Sequence, residues 1–254
     1  MKSLERLPVK DHQIPLSVGS GVSVVPVNKE VIAALTQLHL STFADYIHAR
    51  IGEGYVRAFL DWFRCPENGV ALVAINAKGE PLGYVVGATV GYVQAMNRDL
   101  FWVGLGAMMM RPWLCFEAGI RKKVEERVKL ASGYSACPHQ EPTIPEPTMS
   151  LVSLAVLPSV RRQKIGLRLV ESFEAQSKQL AARSLRLSVY PSNVIARRFY
   201  EQCGWQPFSG QVRNTGEMYY YRIINSVGDF SRLSNENKSL HTVHHTTVDQ
   251  HPST

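Results

Sequence analysis

The chain has 254 residues, 45% hydrophobic and 19% charged, with a formal net charge of +7. This composition excludes a disordered, collagen-like or disulfide-stapled chain and leaves one large or two small soluble globular domains. The positive balance favours an anionic partner such as a nucleotide, a phosphate, nucleic acid or a membrane surface, and a merely solubilising surface also explains it.

The first 20 residues read as an extended leader of mixed polarity without the apolar core of a secretory signal. Cys65, Cys115, Cys137 and Cys203 are scattered and form no C-x-x-C pair, so no zinc site is expected. Reduced thiols and a cytoplasmic address follow as the default expectation. "VSVVPV" (Val22–Val27) is β-branched and short, the mark of a first strand. "NKEVIAALTQLHLSTF" reads as a helix capped by Asn28, with Val31, Leu35 and Leu38 at helical spacing. "GEGYVRAFLDWFRC" reads as a second amphipathic helix with Tyr55, Phe59, Trp62 and Phe63 along one side. Two apolar runs, Gly69–Ile75 and Leu82–Gly91, read as strands joined by a hairpin turn at Lys78-Gly79.

Residues 92–148 read as an insert. Leu100–Ile120 is strongly apolar but is broken by Arg111 and Pro112, and it is followed by the basic "RKKVEERVK". A membrane span needs roughly 20 uninterrupted apolar residues, so no transmembrane segment is expected. A helical subdomain over a substrate site, a dimer contact and a membrane-surface contact remain as readings. "PHQEPTIPEPT" holds four prolines and predicts a loop.

Met149–Val156 reads as a strand, Val160–Ala182 as a helix, Ser184–Tyr190 as an alternating strand, Asn193–Trp205 as a helix ended by Gly204, and Glu217–Ile224 as a last strand. Residues 226–254 hold few hydrophobes and cannot offset their ordering entropy, which predicts a disordered His/Ser/Thr-rich tail. His241, His244, His245 and His251 lie in that tail, where disorder accounts for them without a metal. The expected organisation is a single mixed α/β domain over 21–225.

Chemistry concentrates at "VLPSVRRQKIGLRLVE", Val156–Glu171. A helix N-terminus presents free N–H groups and partial positive charge, a ready anion site. Gly166 lets a phosphate approach the backbone, and Arg161, Arg162 and Lys164 add full charges. Basic residues at a helix start oppose the macrodipole, so the arrangement costs stability unless an anion is bound; a solvated basic turn is the bland alternative. Further on, Asn193, Ala196 and Tyr200 share one helix face, and Gly204-Trp205 closes that helix.

These two motifs together resemble the GNAT superfamily of N-acetyltransferases. The family pattern Val-x-Pro-x-x-Arg-x-x-Gly-x-Gly is met by Val156, Pro158, Arg161 and Gly166, with Lys164 at the first glycine. The later pattern is met by Asn193, Ala196, Tyr200, Gly204 and Trp205. The resemblance implies a GNAT-like acyl-CoA N-acyltransferase fold with splayed central strands and a helical insertion. It implies acetyl-CoA as acetyl donor and no metal. It places pantetheine along Leu154 and Val156. The pyrophosphate falls on backbone N–H groups of Arg161, Arg162, Gln163, Lys164, Ile165, Gly166 and Leu167, with Asn193 and Tyr200 completing the site.

By the same resemblance Val156 N–H polarises the thioester carbonyl, and Tyr200 protonates the leaving thiolate after direct attack by an amine. Asp45, His48, Glu53, Asp61 and water are the candidates for the base. The expected acceptor is a small-molecule amine, an amino sugar or sugar nucleotide; a protein or peptide amine is the second reading and a non-catalytic acyl-CoA module the third. A homodimer is among the expectations. Nucleic acid is not expected, because the basic clusters lack interleaved exposed aromatics.

Overall fold

The computed structural model describes residues 21–44, 46–111, 144–212 and 216–224. The expected leader 1–20, the tail 226–254 with its four histidines, Asp45 and residues 112–143 of the insert lie outside the described residues. In chain order the elements are β1 (Ser23–Pro26), α1 (Ile32–Thr42), α2 (Ile47–Ile51), α3 (Glu53–Arg64), β2 (Val70–Ile75), β3 (Pro81–Thr89), α4 (Tyr92–Asp99) and α5 (Phe101–Met109). Then come β4 (Thr148–Val156), α6 (Ile165–Gln179), β5 (Ser184–Val189), α7 (Val194–Gln202), β6 (Gln206–Val212) and β7 (Met218–Ile223). The strands form one seven-stranded sheet in the order β1-β2-β3-β4-β5-β7-β6. Only β4 and β5 are parallel; the other neighbours are antiparallel.

The β2–β3 hairpin follows its turn chemistry. Gly79 takes φ 80°, and Asn76 Oδ1 accepts from the Lys78 and Glu80 N–H groups, both at 2.9 Å. Both strands are nearly continuous in apolar residues because helices cover both faces. On one side Tyr84, Val86, Ala88 and Val73 pack with Leu35 of α1 and Val56, Phe59 and Phe63 of α3. On the other side Val85, Leu72 and Ala74 pack with Ile165, Leu169 and Phe173 of α6, and Leu185, Leu187 and Tyr200 extend that cluster to β5 and α7. Each such buried aliphatic or aromatic side chain contributes about 1.5–3 kcal/mol.

The structure departs from the expected elements in three places. The helix expected from Val160 begins only at Ile165. Pro158–Val160 form a single 3₁₀ turn, and Arg162 and Lys164 take φ 66° and 60°, which no right-handed helix can include. Arg161, Arg162 and Lys164 therefore precede the helix rather than sitting in its first turn. Asn28 caps a turn, accepting from the Glu30 and Val31 N–H groups, and α1 proper starts at Ile32. The edge strand β6 carries Pro207, Ser209 and Gly210, too poor a strand pattern to be legible in the sequence.

Candidate active site

β4 and β5 pair only at Thr148↔Ser184, Met149↔Leu185 and Ser150↔Arg186, although β4 runs on to Val156 and β5 to Val189. Beyond Ser150 the two strands diverge. The divergence coincides with a bulge in β4: Val86 pairs with Ser153 and Gly87 with Leu151, leaving Val152 as the extra residue. The bulge also flips the faces. Met149 and Leu151 belong to the α6-side core, whereas Ala155 joins the α1/α3-side core.

The direction of the free edge follows from register. Leu157 N–H donates to Leu82 O at 2.9 Å, and Gly83 pairs with Val156. In an antiparallel ladder successive residues alternate between pointing at the partner and away from it. The N–H groups of Leu154 and Val156 thus point away from β3, into the gap toward β5. Both residues are half-buried.

Behind the bulge lies a buried polar chain. Tyr84 hydroxyl stands 2.5 Å from His39 Nδ1 and 3.0 Å from Ser153 Oγ. His39 packs against Phe43 and Phe59, with ring centroids at 4.8 and 5.8 Å. Burial pushes the His39 imidazole down to about 4, so it is neutral, and burial of Tyr84 itself raises that phenol well above the usual range, against the Ser153 hydrogen bond.

At the end of β4 the chain enters the basic turn. Arg161, Arg162, Gln163 and Lys164 are all exposed, and Arg161 Nε donates to Val156 O at 3.3 Å, which ties its guanidinium to the strand end. The first intrahelical bond of α6 is Arg168 N–H to Lys164 O at 3.0 Å, so the N–H groups of Ile165, Gly166 and Leu167 have no partner within the helix. Among the described residues no side chain caps this end and no carboxylate sits in the first turn. Ile165 is buried in the core, so only its backbone is available. A Cβ on Gly166 would stand 3.3 Å from Phe199 Cζ and 3.8 Å from Val156 Cγ2, so the helix start is fitted closely between β4 and α7. Free N–H groups, exposed cations and a glycine at the mouth of the strand gap suit a pyrophosphate.

α7 supplies the other wall. Asn193 is its N-cap, with Oδ1 accepting from Ala196 N–H at 3.1 Å. Tyr200 is buried, meets Trp205 edge-on at 5.8 Å, and burial pushes its phenol well above the ordinary range. It therefore holds its proton firmly.

Two of the three described base candidates are otherwise engaged. Asp61 pairs with Arg64 at 2.6 Å, His48 stacks on Phe59 at 5.2 Å, and Glu53 is exposed in the first turn of α3. The fold also brings Tyr46, which precedes α2, to Tyr190, which follows β5, a contact that no motif in the sequence signals. Tyr46 and Tyr190 have ring centroids 5.9 Å apart. Val189 pairs with Met218, which puts Tyr190 and Glu217 at neighbouring register positions. Among the described residues no group of three His, Cys, Asp or Glu could hold a metal ion, and no helix is long and apolar enough to cross a membrane.

Comparison with known proteins bears on this arrangement. Residues 32–205 match the model of a family described as the acetyltransferase (GNAT) family. The match runs from the start of α1 through Trp205 and so spans the strand gap, the basic turn and α7. No curated protein matches the sequence. A GNAT-family acetyltransferase structure from Staphylococcus aureus Mu50 has a TM-score of 0.50 at 12% identity, over 80% of this chain and 99% of that one. A protein from Desulfovibrio desulfuricans assigned to the same family gives 0.50 at 13% identity, over 80% and 99%. At these identities the likeness is one of fold.

Proposed function

The chain belongs to the GNAT acetyltransferase family, which takes acetyl-CoA as acetyl donor, and on that premise we propose that it acetylates a primary amine by direct attack on the thioester. The observation that carries this reading is the free β4 edge beyond Ser150, opening directly onto the basic turn and the bare N-terminus of α6. Leu154 and Val156 offer strand N–H groups to an extended amide chain, as an added strand would use them. Arg162 to Leu167 offer the backbone N–H groups for the pyrophosphate, that of Arg161 being directed at Pro158 O at 3.4 Å, with Arg161, Arg162 and Lys164 supplying charge around them.

Bound acetyl-CoA supplies the activated acetyl group. Of the two strand donors we assign Val156 N–H, which adjoins the pyrophosphate turn, to the amide chain and Leu154 N–H, farther along the arm, to the thioester carbonyl oxygen, where a preset donor stabilises developing negative charge without reorganisation. We assign the Tyr200 hydroxyl to the departing sulfur. Burial keeps that hydroxyl protonated, so it is present as a donor at neutral pH. No cysteine nucleophile is needed; Cys203 is buried, and burial is the main cause that pushes its thiol up and away from the reactive thiolate.

For the acceptor we propose a small amine carrying an anionic group, an amino sugar or sugar nucleotide. The net charge of +7 supports it. So does the β5–β7 face opposite the α6-side core. There Arg186 lies over the Tyr219 ring at 5.5 Å beside Ser188 and Tyr221, and none of the four is buried. The test is thiol release from acetyl-CoA with glucosamine phosphate, a uridine-diphosphate amino sugar, an N-terminal peptide and a lysine peptide. The proposal predicts that the phosphorylated sugars turn over at least about tenfold faster per kcat/KM than either peptide. Preference for a peptide would replace this acceptor with a protein amine.

A further inference from the structure

We propose that the buried chain His39–Tyr84–Ser153 is a positioning device for acetyl transfer: it holds the β4 bulge in one register and so aims the Leu154 N–H at the thioester carbonyl. This deepens the acetyltransferase reading and rests on it. The three side chains come from α1, β3 and β4, and all are buried.

Tyr84 lies opposite Ala155 and Val86 opposite Ser153, so Tyr84 and Ser153 are diagonal neighbours on one face of the β3–β4 ladder. A tyrosine is long enough to span that diagonal, and its hydroxyl stands 3.0 Å from Ser153 Oγ. A slip of one residue along β4 would turn Ser153 to the other face and break this bond. The extra residue Val152 comes immediately before Ser153, and Leu154, whose N–H faces the gap, comes immediately after it. Ser153 is the single polar residue in Leu151–Val156, so no other side chain of that run can fix by hydrogen bonding where the extra residue falls.

The far end of the chain is anchored outside the sheet. Tyr84 hydroxyl stands 2.5 Å from His39 Nδ1, and the two rings are stacked at 6.2 Å and 21°. Phe43 and Phe59 hold the imidazole from two further directions. The free edge of β4 is thereby referenced to α1. Burial keeps His39 neutral and Tyr84 protonated, so the influence on the site is geometric and not one of charge.

The arrangement costs stability. His39 Nε2 is buried and has no hydrogen-bond partner among the described residues. An orphaned buried polar atom is destabilising, and apolar side chains of similar shape would fill the same space without that cost. Packing alone does not account for three polar groups at this place; fixing a register does.

The test needs no knowledge of the amine acceptor. The full chain is bound to acetyl-CoA labelled with ¹³C at the acetyl carbonyl, and the carbonyl resonance is compared with that of the free thioester. The expected result is a downfield shift on binding, because an N–H donor draws charge onto the oxygen. Tyr84→Phe and Ser153→Ala should each lose at least about half of that shift while calorimetric affinity for acetyl-CoA changes by less than about twofold, since one preset donor is misdirected and the rest of the site is intact. Ser153→Thr keeps the hydroxyl and should restore the shift. The triple variant His39→Leu/Tyr84→Phe/Ser153→Ala removes every polar group of the chain together, so it should melt at or above the unmutated protein and still lack the shift.

A full carbonyl shift in the triple variant would make the chain a packing element and overturn the proposal. Unchanged shifts in both single variants, a shift lost in Ser153→Thr, or a triple variant that melts well below the unmutated chain would overturn it too. No affinity of the unmutated chain for acetyl-CoA would instead overturn the acetyltransferase reading, so the two failures are told apart.

Discussion

Lys164 stands where the family pattern has glycine, and its backbone obeys the pattern: φ 60° and ψ 12° put it in the left-handed region. A side chain there costs about 1–2 kcal/mol through the clash of Cβ with its own carbonyl. Lys164→Gly relieves that cost and adds unfolded-chain entropy worth about 0.4–1 kcal/mol in the opposite sense. The net expectation is a gain of about 0.5–1 kcal/mol, or about 1–4 °C in melting temperature for a domain of this size. Lys164→Ala keeps Cβ and its clash, so it gains nothing.

Binding separates the two roles of the residue. Both variants lose the same exposed charge, so both weaken acetyl-CoA by no more than about fivefold at low ionic strength, an effect that salt abolishes. Thermal melts of the three proteins and calorimetry at two salt concentrations decide the matter. If glycine and alanine variants melt together, or alanine stabilises as much as glycine, the strain assigned to this residue does not exist.

Gly166→Trp should abolish acetyl-CoA binding in calorimetry, because a Cβ there already stands 3.3 Å from Phe199 and 3.8 Å from Val156, so an indole must push the helix start that carries the phosphate cradle away from β4 and α7. Tyr200→Phe should lower kcat by about 10²-fold with acetyl-CoA affinity unchanged, the usual scale for losing a positioned proton donor; equal turnover would remove Tyr200 from the chemistry. His39 makes a prediction for acid. Its folded value of about 4 lies below the ordinary 6.5, so the unfolded chain binds the extra proton. Stability is therefore complete above pH 6.5 and falls as the pH drops toward 4, by about 2 kcal/mol at pH 5 from this residue alone. Urea unfolding at pH 7.5 and pH 5 should show that loss, and His39→Gln should remove most of it; an identical loss in the variant would place its source elsewhere.

Much of the fold was legible because local chemistry and the tertiary environment agree. The β2–β3 hairpin carries its own turn residues, and Asn193 both looks like and acts as an N-cap. The phosphate turn was legible as a motif but not in its geometry. Helical spacing in "VRRQKIGLRLVE" extends back to Val160, and only the left-handed Arg162 and Lys164 show why the helix waits until Ile165. The bulge at Val152 leaves no mark in a run that alternates well on either side of it. The Tyr46–Tyr190 contact was invisible because it is made only by the approach of the segment before α2 to the end of β5. For the same reason His48 and Asp61 were better candidates in the sequence than in the fold, where Asp61 is spent on Arg64 and His48 on an aromatic stack.

The most direct test of the account is calorimetric titration of the full chain with acetyl-CoA, with CoA and ATP as controls and Gly166→Trp alongside. The expected result is one site per chain, CoA close to acetyl-CoA, ATP much weaker, and no heat with the variant. No binding to the unmutated chain at millimolar acetyl-CoA, or equal binding to Gly166→Trp, would contradict a donor site built on the β4 edge and the N-terminus of α6.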